Sequence, residues 1–206
     1  MNSGLKTAVS AVLAAVALAG CGGGGNGDWI DPGVNPVTPG GGSSETVYLG
    51  GFKWMTKNLN VPTEDSWCYD GSTANCNKYG RLYTWEAAKR ACRSVGMRLP
   101  SAQEWDNLVT AAETGYYSAG YNLRSNRGWY NYGNGSNKFG FSALPGGFRI
   151  SDGGFYGAGY YGIWWTATES SGGDAYYRFM YYDDDEVNEY GTDKSDGFSA
   201  RCVQGD

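Results

Sequence analysis

Five cysteines and a complete lack of histidine limit the chemistry that this chain can perform. Without histidine, the usual serine and cysteine triads and the histidine-based metal sites are excluded. A zinc site would need clustered thiolates, and disulfide formation is the other common use of cysteine in a small domain. Because five is an odd number, one cysteine is left to be modified, to stay reactive or to pair between chains.

Carboxylates are the other groups that could act chemically. A pair that cleaves glycosidic bonds needs two carboxyls about 5 to 10 Å apart, and no spacing in the sequence singles one out. The run Asp183-Asp184-Asp185-Glu186, near Asn188, offers the hard oxygen ligands that calcium prefers. Consecutive residues of a strand alternate faces, so at most two of the four acidic residues point the same way, with Asp183 and Asp185 as the metal candidates. The run favours a solvated acidic hairpin, and we expect no metal and no cofactor.

The position of Cys21 assigns the odd cysteine a role. Lys6 precedes an apolar stretch from Ala8 to Ala19, which is typical of a signal peptide over residues 1–20 and too short for a span of about 20 apolar residues. The segment Leu18-Ala19-Gly20-Cys21 resembles the bacterial lipoprotein signal, which implies that Cys21 is lipidated and holds the protein on a membrane. Gly22, in place of an aspartate, implies the outer membrane if the host has two membranes.

The sequence predicts a tether over residues 21–44 and a folded domain over residues 45–206. The tether is rich in glycine and proline, and a coil of this length reaches about 25 to 30 Å. The chain has a formal net charge of −5, which gives no basic footprint for nucleic acid. We expect a membrane as partner through the N-terminal lipid, together with a polysaccharide or surface-protein ligand.

Local patterns predict the elements at the start of the domain. Residues 45–55 indicate a hairpin around Gly50-Gly51. Residues 84–95 indicate an amphipathic helix capped by Thr84, and Ser101 with Glu104 forms the capping box of a second helix. The inward positions expected for the two helices are Trp85, Ala88, Cys92 and Val95, and then Trp105, Leu108, Val109 and Ala112.

The second half of the chain has a different residue pattern. No helical period appears from Gly115 to Tyr161, where glycine, tyrosine, asparagine and serine dominate, so we expect a long irregular region. Strand character returns at residues 162–168, 175–181 and 197–203.

Four cysteines remain in the domain, and they allow three pairings. Proximity favours Cys68 with Cys76 across a turn-rich loop. Cys92, on the inward face of the first helix, then faces Cys202 in the last strand.

Several motifs resemble known families. The two-helix segment from Tyr83 to Trp105 is similar to the core of C-type-lectin-like domains, whose long disulfide Cys92 and Cys202 match. A closer resemblance, covering nearly the whole domain, is to the Fibrobacter succinogenes major paralogous (FISUMP) domain. Its motifs are matched by Trp54-Met55-Thr56-Lys57-Asn58-Leu59-Asn60, Cys76-Asn77-Lys78-Tyr79-Gly80-Arg81-Leu82-Tyr83, Gly96-Met97-Arg98-Leu99-Pro100, Trp164-Trp165-Thr166-Ala167-Thr168-Glu169 and Gly197-Phe198-Ser199-Ala200-Arg201-Cys202-Val203.

The resemblance implies an α+β, C-type-lectin-like fold, with two helices packed on small antiparallel sheets and a long irregular loop region. The segment from Arg98 to Trp105 also resembles formylglycine-generating enzymes, which share this fold. Their copper-binding cysteine pair has no counterpart here if all four domain cysteines form disulfides.

The function that we expect is a lipid-anchored envelope protein that displays a non-catalytic binding module for polysaccharide or protein ligands. The alternatives are a structural envelope lipoprotein without a soluble ligand, and an enzyme related in fold to formylglycine-generating enzymes. Antibody loops use the same residue types as this irregular region, tyrosine, serine, glycine and asparagine, to recognise their ligands. Core packing is the competing role of the aromatic residues, above all for Trp129, Trp164 and Trp165. The candidate ligand-binding residues are Tyr116, Tyr117, Tyr121, Trp129, Tyr130, Tyr132, Tyr156, Tyr160 and Tyr161.

Overall fold

Short helices and strands alternate through residues 45–204, the part of the chain that the computed structural model describes. The predicted signal peptide, Cys21 and the tether lie outside the described residues. The described part is a mixed α+β domain with small sheets and few helices. Its helices are α1 (Thr73–Tyr79), α2 (Trp85–Ser94), α3 (Ala102–Ala112) and α4 (Ala119–Leu123). Its strands are β1 (Thr46–Leu49), β2 (Phe52–Met55), β3 (Ser66–Trp67), β4 (Leu82–Tyr83), β5 (Met97–Arg98), β6 (Phe148–Arg149), β7 (Phe155–Tyr156), β8 (Tyr161–Glu169), β9 (Asp174–Tyr181), β10 (Asp184–Asp193), β11 (Phe198–Ser199) and β12 (Val203–Gln204).

The described strands form two main sheets and a two-stranded ribbon. The smaller main sheet has the order β1-β2-β12-β5, the larger has the order β10-β9-β8-β11-β4-β3, and β6 pairs with β7. Strand β11 runs parallel to β8, and the other pairs are antiparallel. Because β12 lies between β2 and β5, the end of the domain is tied to its beginning.

The N-terminal hairpin forms as predicted. Leu49 pairs with Phe52 across a two-residue turn, in which Gly50 and Gly51 have φ angles of 60° and 88°. Positive φ at both central residues is the conformation that favours glycine and matches the twist of a hairpin.

Both predicted amphipathic helices are present, with one correction. The Thr84 side chain accepts a hydrogen bond from the Ala87 backbone N–H, and Ser101 and Glu104 form the complete capping box. Trp85, Ala88 and Cys92 are buried as predicted, and so are Trp105, Leu108 and Ala112, while Val109 is half-buried. Val95 was predicted to face inward, but it caps the C-terminus of α2 and is 36% exposed, because the helix ends before the next inward position.

Three other segments differ from the sequence prediction. The loop expected between Cys68 and Cys76 contains a 3₁₀ turn and then α1. The acidic hairpin is present, but it continues into β10, a ten-residue strand that was not predicted. The strand expected over residues 197–203 is divided, because the chain leaves one main sheet after β11 and enters the other at β12.

The region between Gly115 and Tyr161 is also more ordered than predicted. It contains α4 and the β6–β7 ribbon, and its backbone is held by many hydrogen bonds, most of them between different parts of the region itself. The region therefore has a fixed shape that can place side chains.

The two disulfides are those that the sequence favoured. Cys68 is bonded to Cys76, and Cys92 in α2 is bonded to Cys202 beside β12. The second bond joins residues 110 positions apart and so holds the first amphipathic helix to the end of the chain.

Strand β8 has a hydrophobic core on each of its faces. Trp165 packs with α2 residues such as Ala88, whereas its neighbour Trp164 packs on the other face with Trp105 of α3. This follows from the alternation of side chains along a strand. Both indole N–H groups have acceptors, since Trp164 donates to Asn58 Oδ1 over 2.9 Å and Trp165 to the Tyr83 carbonyl over 2.8 Å.

A buried arginine, Arg201, joins the two main sheets where the chain passes between them. Its guanidinium donates to Asn58 Oδ1 and to the carbonyls of Met55, Phe141 and Ser142. Within residues 45–204 no carboxylate forms an ion pair with it, and burial lowers the pKa of Arg201 to about 9. The guanidinium therefore still carries its charge at neutral pH.

No helix in residues 45–204 has the length and apolar character needed to cross a bilayer.

Candidate functional site

One face of the larger sheet carries aromatic residues whose burial decreases along β9. Ala175, Tyr177, Phe179 and Tyr181 share this face because they alternate along the strand. The first two are buried in the core under α2, whereas Phe179 and Tyr181 are only half-buried. Half-buried aromatic rings on a rigid sheet provide an apolar surface that a ligand can contact.

Seven rings form a continuous series of contacts that extends from this face onto the neighbouring loops. We call this series the aromatic band. Its contacts include offset stacking between Tyr161 and Tyr181, whose ring centroids are 4.9 Å apart, and between Tyr161 and Phe179 at 5.5 Å. The members of the aromatic band are Tyr130, Tyr160, Tyr182, Tyr181, Tyr161, Phe179 and Tyr190.

The loop end of the aromatic band is a cluster of three tyrosines. The ring of Tyr130 stacks on that of Tyr160 at 4.4 Å, and Tyr182 contacts them edge-on at 5.4 and 5.5 Å. Backbone hydrogen bonds fix these positions, since the Tyr130 N–H donates to the Gly159 carbonyl and the Tyr182 N–H to the Tyr160 carbonyl. Tyr130 is 49% exposed, so the cluster is open to solvent.

Glycine at position 133 allows the loop to approach the β9–β10 hairpin this closely. A β-carbon on Gly133 would lie 2.3 Å from the Tyr182 carbonyl oxygen, a distance that packed atoms do not tolerate. The small residue therefore lets the loop that bears Tyr130 lie directly against the segment that bears Tyr182.

A buried arginine holds the same hairpin from below. Arg124, just after α4, donates to the carbonyls of Tyr181 and Asp184 and forms an ion pair with Asp185. Asp185 is thus engaged with a cation, while Asp183 is exposed. Among the residues that the structure describes, no group of three or more potential metal ligands is found. Within the acidic run, Asp184 and Asp185 thus hold Arg124 against the hairpin.

Three phenols of the aromatic band, those of Tyr160, Tyr161 and Tyr181, have a raised pKa and are therefore neutral at physiological pH. Burial raises the pKa of Tyr161 and of Tyr181. Burial also raises the pKa of Tyr160, together with a hydrogen bond that its hydroxyl donates to Tyr130. Neutral hydroxyls next to apolar ring faces can donate and accept hydrogen bonds while the rings make apolar contact.

The structure divides the predicted ligand-binding residues into separate groups. Tyr130, Tyr160 and Tyr161 lie in the aromatic band, where Tyr161 is only 8% exposed and supports the more exposed rings that stack on it. Tyr117 stacks with Tyr121 at 5.0 Å beside Tyr116, next to a small acidic cleft. Tyr132 is 97% exposed, and Tyr156 packs on Phe148.

Trp129 is a correction to the predicted set. Its ring is 5% exposed, and its Nε1 donates to the Ala143 carbonyl over 3.0 Å. It is a core residue, as are Trp164 and Trp165, because the irregular region folds it inward against α3 and α4.

Four members of the aromatic band were missed from the sequence: Phe179, Tyr181, Tyr182 and Tyr190. The alternation of Tyr177, Phe179 and Tyr181 along a predicted strand was a usable signal for one aromatic face. The contribution of Tyr190 could not be found in this way, because β10 was not recognised as a strand.

One of three comparisons with known proteins identifies a family for this chain. A search of curated proteins found no match, and a search of solved structures found none either. The model of the Fibrobacter succinogenes major domain matches residues 47–204, which is most of the sequence. This chain belongs to the Fibrobacter succinogenes major domain family.

Proposed function

We propose that this protein is a lipid-anchored component of the cell envelope that binds polysaccharide through the aromatic band, without catalysis. The observation that carries the proposal is the continuity of the seven rings from Tyr130 to Tyr190 across a sheet face and the adjacent loops. A polysaccharide presents successive sugar rings, so an extended series of aromatic contacts suits it better than a single deep pocket does.

Tyrosine suits this ligand for two reasons. Its ring offers an apolar face for the C–H groups of a sugar, and its hydroxyl can bond to sugar hydroxyls at the edge of the same contact. Its side chain also has few rotatable bonds, so ordering it on binding costs little entropy. The mutual ring contacts of Tyr130, Tyr160 and Tyr182 hold the rings in place before the ligand arrives.

For the fold we propose the C-type-lectin-like class. The support is the pair of helices α2 and α3, the disulfide from Cys92 to Cys202, and the position of β12 beside β2, which brings the two ends of the domain together.

Anchoring is proposed from the sequence of residues 1–44. Lipidation of Cys21 would place the domain on the outer membrane of a host with two membranes, at the end of the predicted glycine- and proline-rich tether. In a bacterial host, the Cys21→Ser variant should move from the membrane fraction to the soluble fraction. Retention of that variant in the membrane fraction would contradict the anchor.

The binding function is tested by applying the purified full-length protein to glycan arrays and to insoluble polysaccharides, including cellulose and xylan. We expect retention on at least one polysaccharide and release by soluble fragments of it. No retention on cellulose, xylan or host glycans would reject the polysaccharide ligand. Capture of a protein instead would reassign the aromatic band to protein recognition.

A further inference from the structure

A cleft with excess positive charge lies outside the aromatic band. It has a volume of about 600 Å³ and is lined by three cationic side chains, Lys57, Lys78 and Arg127, and by one carboxylate, Glu45. This volume falls in the range of about 300–1,000 Å³ that is usual for small-molecule sites. A cationic cleft is unexpected in a chain whose formal net charge is −5.

The charges in the cleft are only partly compensated. Lys57 pairs with Glu45 at 3.4 Å, but both side chains are about three-quarters exposed (76% and 74%), so the pair is weak and open to competition. The Lys78 ammonium lies 4.7 Å from the ring centroid of Tyr79, an arrangement that leaves its charge available. In the described part of the chain, the Arg127 guanidinium makes no hydrogen bond and no ion pair.

A further positive charge lies directly beneath the cleft. Asn58 and Ser142 line the cleft, and both accept hydrogen bonds from the buried guanidinium of Arg201. The acceptors of Arg201 are neutral oxygens, which satisfy its N–H groups without neutralising its charge. In a medium of low dielectric constant this charge extends its field further than an exposed lysine does. The floor and the walls of the cleft thus both favour a negatively charged ligand.

The polar groups in the walls indicate what else the ligand carries. The amides of Asn60 and Asn77 line the cleft, are exposed and have no hydrogen-bond partner within residues 45–204. An amide can both donate and accept hydrogen bonds, and so can a hydroxyl group, whereas a bare inorganic anion only accepts them and needs donors alone. The cationic side chains of the cleft suit an acid group, and the neighbouring amides suit hydroxyl groups. A ligand that carries both groups therefore matches the cleft better than a simple inorganic anion does.

We infer that this cleft is a second ligand site that takes an acidic saccharide, a sugar bearing a carboxylate. Arg127 and Lys78 hold the acid group by charge-assisted hydrogen bonds, Arg127 with the planar fork that suits a carboxylate. Asn60 and Asn77 bind the hydroxyl groups. The site is separate from the aromatic band and does not depend on it.

Calorimetric titration of the purified full-length protein with trigalacturonate tests the inference, with neutral galactotriose and inorganic phosphate as matched ligands. We expect trigalacturonate to bind at least tenfold more tightly than either, with an affinity that decreases as salt is added. The double variant Lys78→Gln/Arg127→Gln should lose at least tenfold in affinity. Arg93→Gln, which removes an exposed charge from the end of α2 away from the cleft, should leave the affinity unchanged.

Three results would overturn the inference. Trigalacturonate that does not bind, or that binds the double variant as tightly as the wild type, would remove the site. Inorganic phosphate that binds as tightly as trigalacturonate would reduce the cleft to a general anion site. Binding to vesicles of anionic phospholipid that is lost in the same double variant, without trigalacturonate binding, would assign the cleft to the membrane surface.

Discussion

At the residue scale, Arg201 ties the point where the chain passes between the two main sheets to β2 and to the region around Phe141. Its side chain is completely buried and bonds to four residues from two segments, β2 with the following loop and the region around Phe141. Hydrogen bonds that involve a charged group are stronger than neutral ones, and buried acceptors left without donors are costly. Position 201 therefore requires both the charge and the fork-shaped donor set of arginine.

Replacing this residue should be highly destabilising. Arg201→Met should lower the free energy of unfolding by at least about 3 kcal/mol, because it strands several buried acceptors. Arg201→Lys keeps the charge but has fewer donors, and should lose about 2 kcal/mol. Urea denaturation measures both, with Arg93→Met as an exposed control expected within about 0.5 kcal/mol of the wild type. An Arg201→Met variant as stable as this control would contradict the assigned role.

Glu104 gives the stability of the domain a predictable acid dependence. Burial by itself would raise the pKa of this carboxyl, but the Arg98 guanidinium and the Ser101 backbone N–H outweigh burial, so the pKa is lowered from 4.5. A carboxyl with a lowered pKa in the folded state stabilises the protein above the unfolded pKa. That stabilisation is lost as the pH falls through the folded pKa.

The Glu104→Gln variant should therefore be less stable than the wild type at pH 7, and the difference should shrink below about pH 4.5. Asp196 provides a control of opposite sign, because burial raises its pKa above 3.8. Relative to the Asp196→Asn variant, the wild type should gain stability as the pH falls towards 3.8. Chemical denaturation from pH 7 to pH 2.5 measures both trends, and a Glu104→Gln deficit that stays constant over this range would refute the linkage.

At the element scale, the two disulfides should differ in what they contribute. They join residues 110 and 8 positions apart, and the chain-entropy model assigns about 5 kcal/mol to the long loop and about 2.5 kcal/mol to the short one. The double variant Cys92→Ala/Cys202→Ala should thus be about twice as destabilised as Cys68→Ala/Cys76→Ala. Urea denaturation under non-reducing conditions compares them directly. Equal losses would show that unfolded-state entropy is not the main contribution.

Helix α4 is the element that holds the tyrosine-bearing region against the β9–β10 hairpin. A β-carbon on Gly120 would lie 2.3 Å from the Asp185 carbonyl oxygen, whereas one on Gly173 would meet nothing within 4 Å. Gly120→Ala should therefore cost about 2 kcal/mol or more in unfolding free energy, while Gly173→Ala should be nearly neutral. The two midpoints of thermal unfolding test this contrast, and equal midpoints would mean that the close approach is not required.

Elements that depend on local patterns could be predicted from the sequence, whereas those that depend on distant partners could not. The hairpin and the two capped helices follow from Gly50-Gly51, Thr84 and Ser101, whose effects act within a few residues. Helix α1 was missed because it is short and polar, so its seven residues show no apolar period. Strand β10 begins with acidic residues that favour a turn, and it is retained by pairing with β9.

The candidate site shows the same limit. The alternation along β9 was visible in the sequence, and it places Phe179 and Tyr181 on one face. The contact of Tyr130 with Tyr182 joins residues that are 52 positions apart in the sequence. The close fit at Gly133 that permits this contact has no local sequence signature. Trp129 looked like its tyrosine neighbours in the sequence, but folding places it in the core.

At the scale of the whole molecule, two surfaces of different chemistry lie on one disulfide-bonded domain. The aromatic band is built from neutral rings, so its binding should change little with salt, whereas the cationic cleft should bind less tightly as salt is added. Both surfaces rest on buried charges that the fold keeps in place, Arg124 beneath the hairpin of the aromatic band and Arg201 beneath the cleft. The fold thus supplies rigid support for recognition at both surfaces.

The most direct test of the proposed function is a binding isotherm on the insoluble polysaccharide that retains the wild type. The double variant Tyr130→Ala/Tyr160→Ala removes two stacked rings from the aromatic band, and Tyr116→Ala/Tyr132→Ala removes two highly exposed rings outside it. Thermal unfolding verifies that both variants fold. We predict at least a tenfold loss of affinity for the first variant, about 1.4 kcal/mol or more, and none for the second. Unchanged binding by the folded Tyr130→Ala/Tyr160→Ala variant, or an equal loss in both variants, would contradict the assignment of the aromatic band as the binding site.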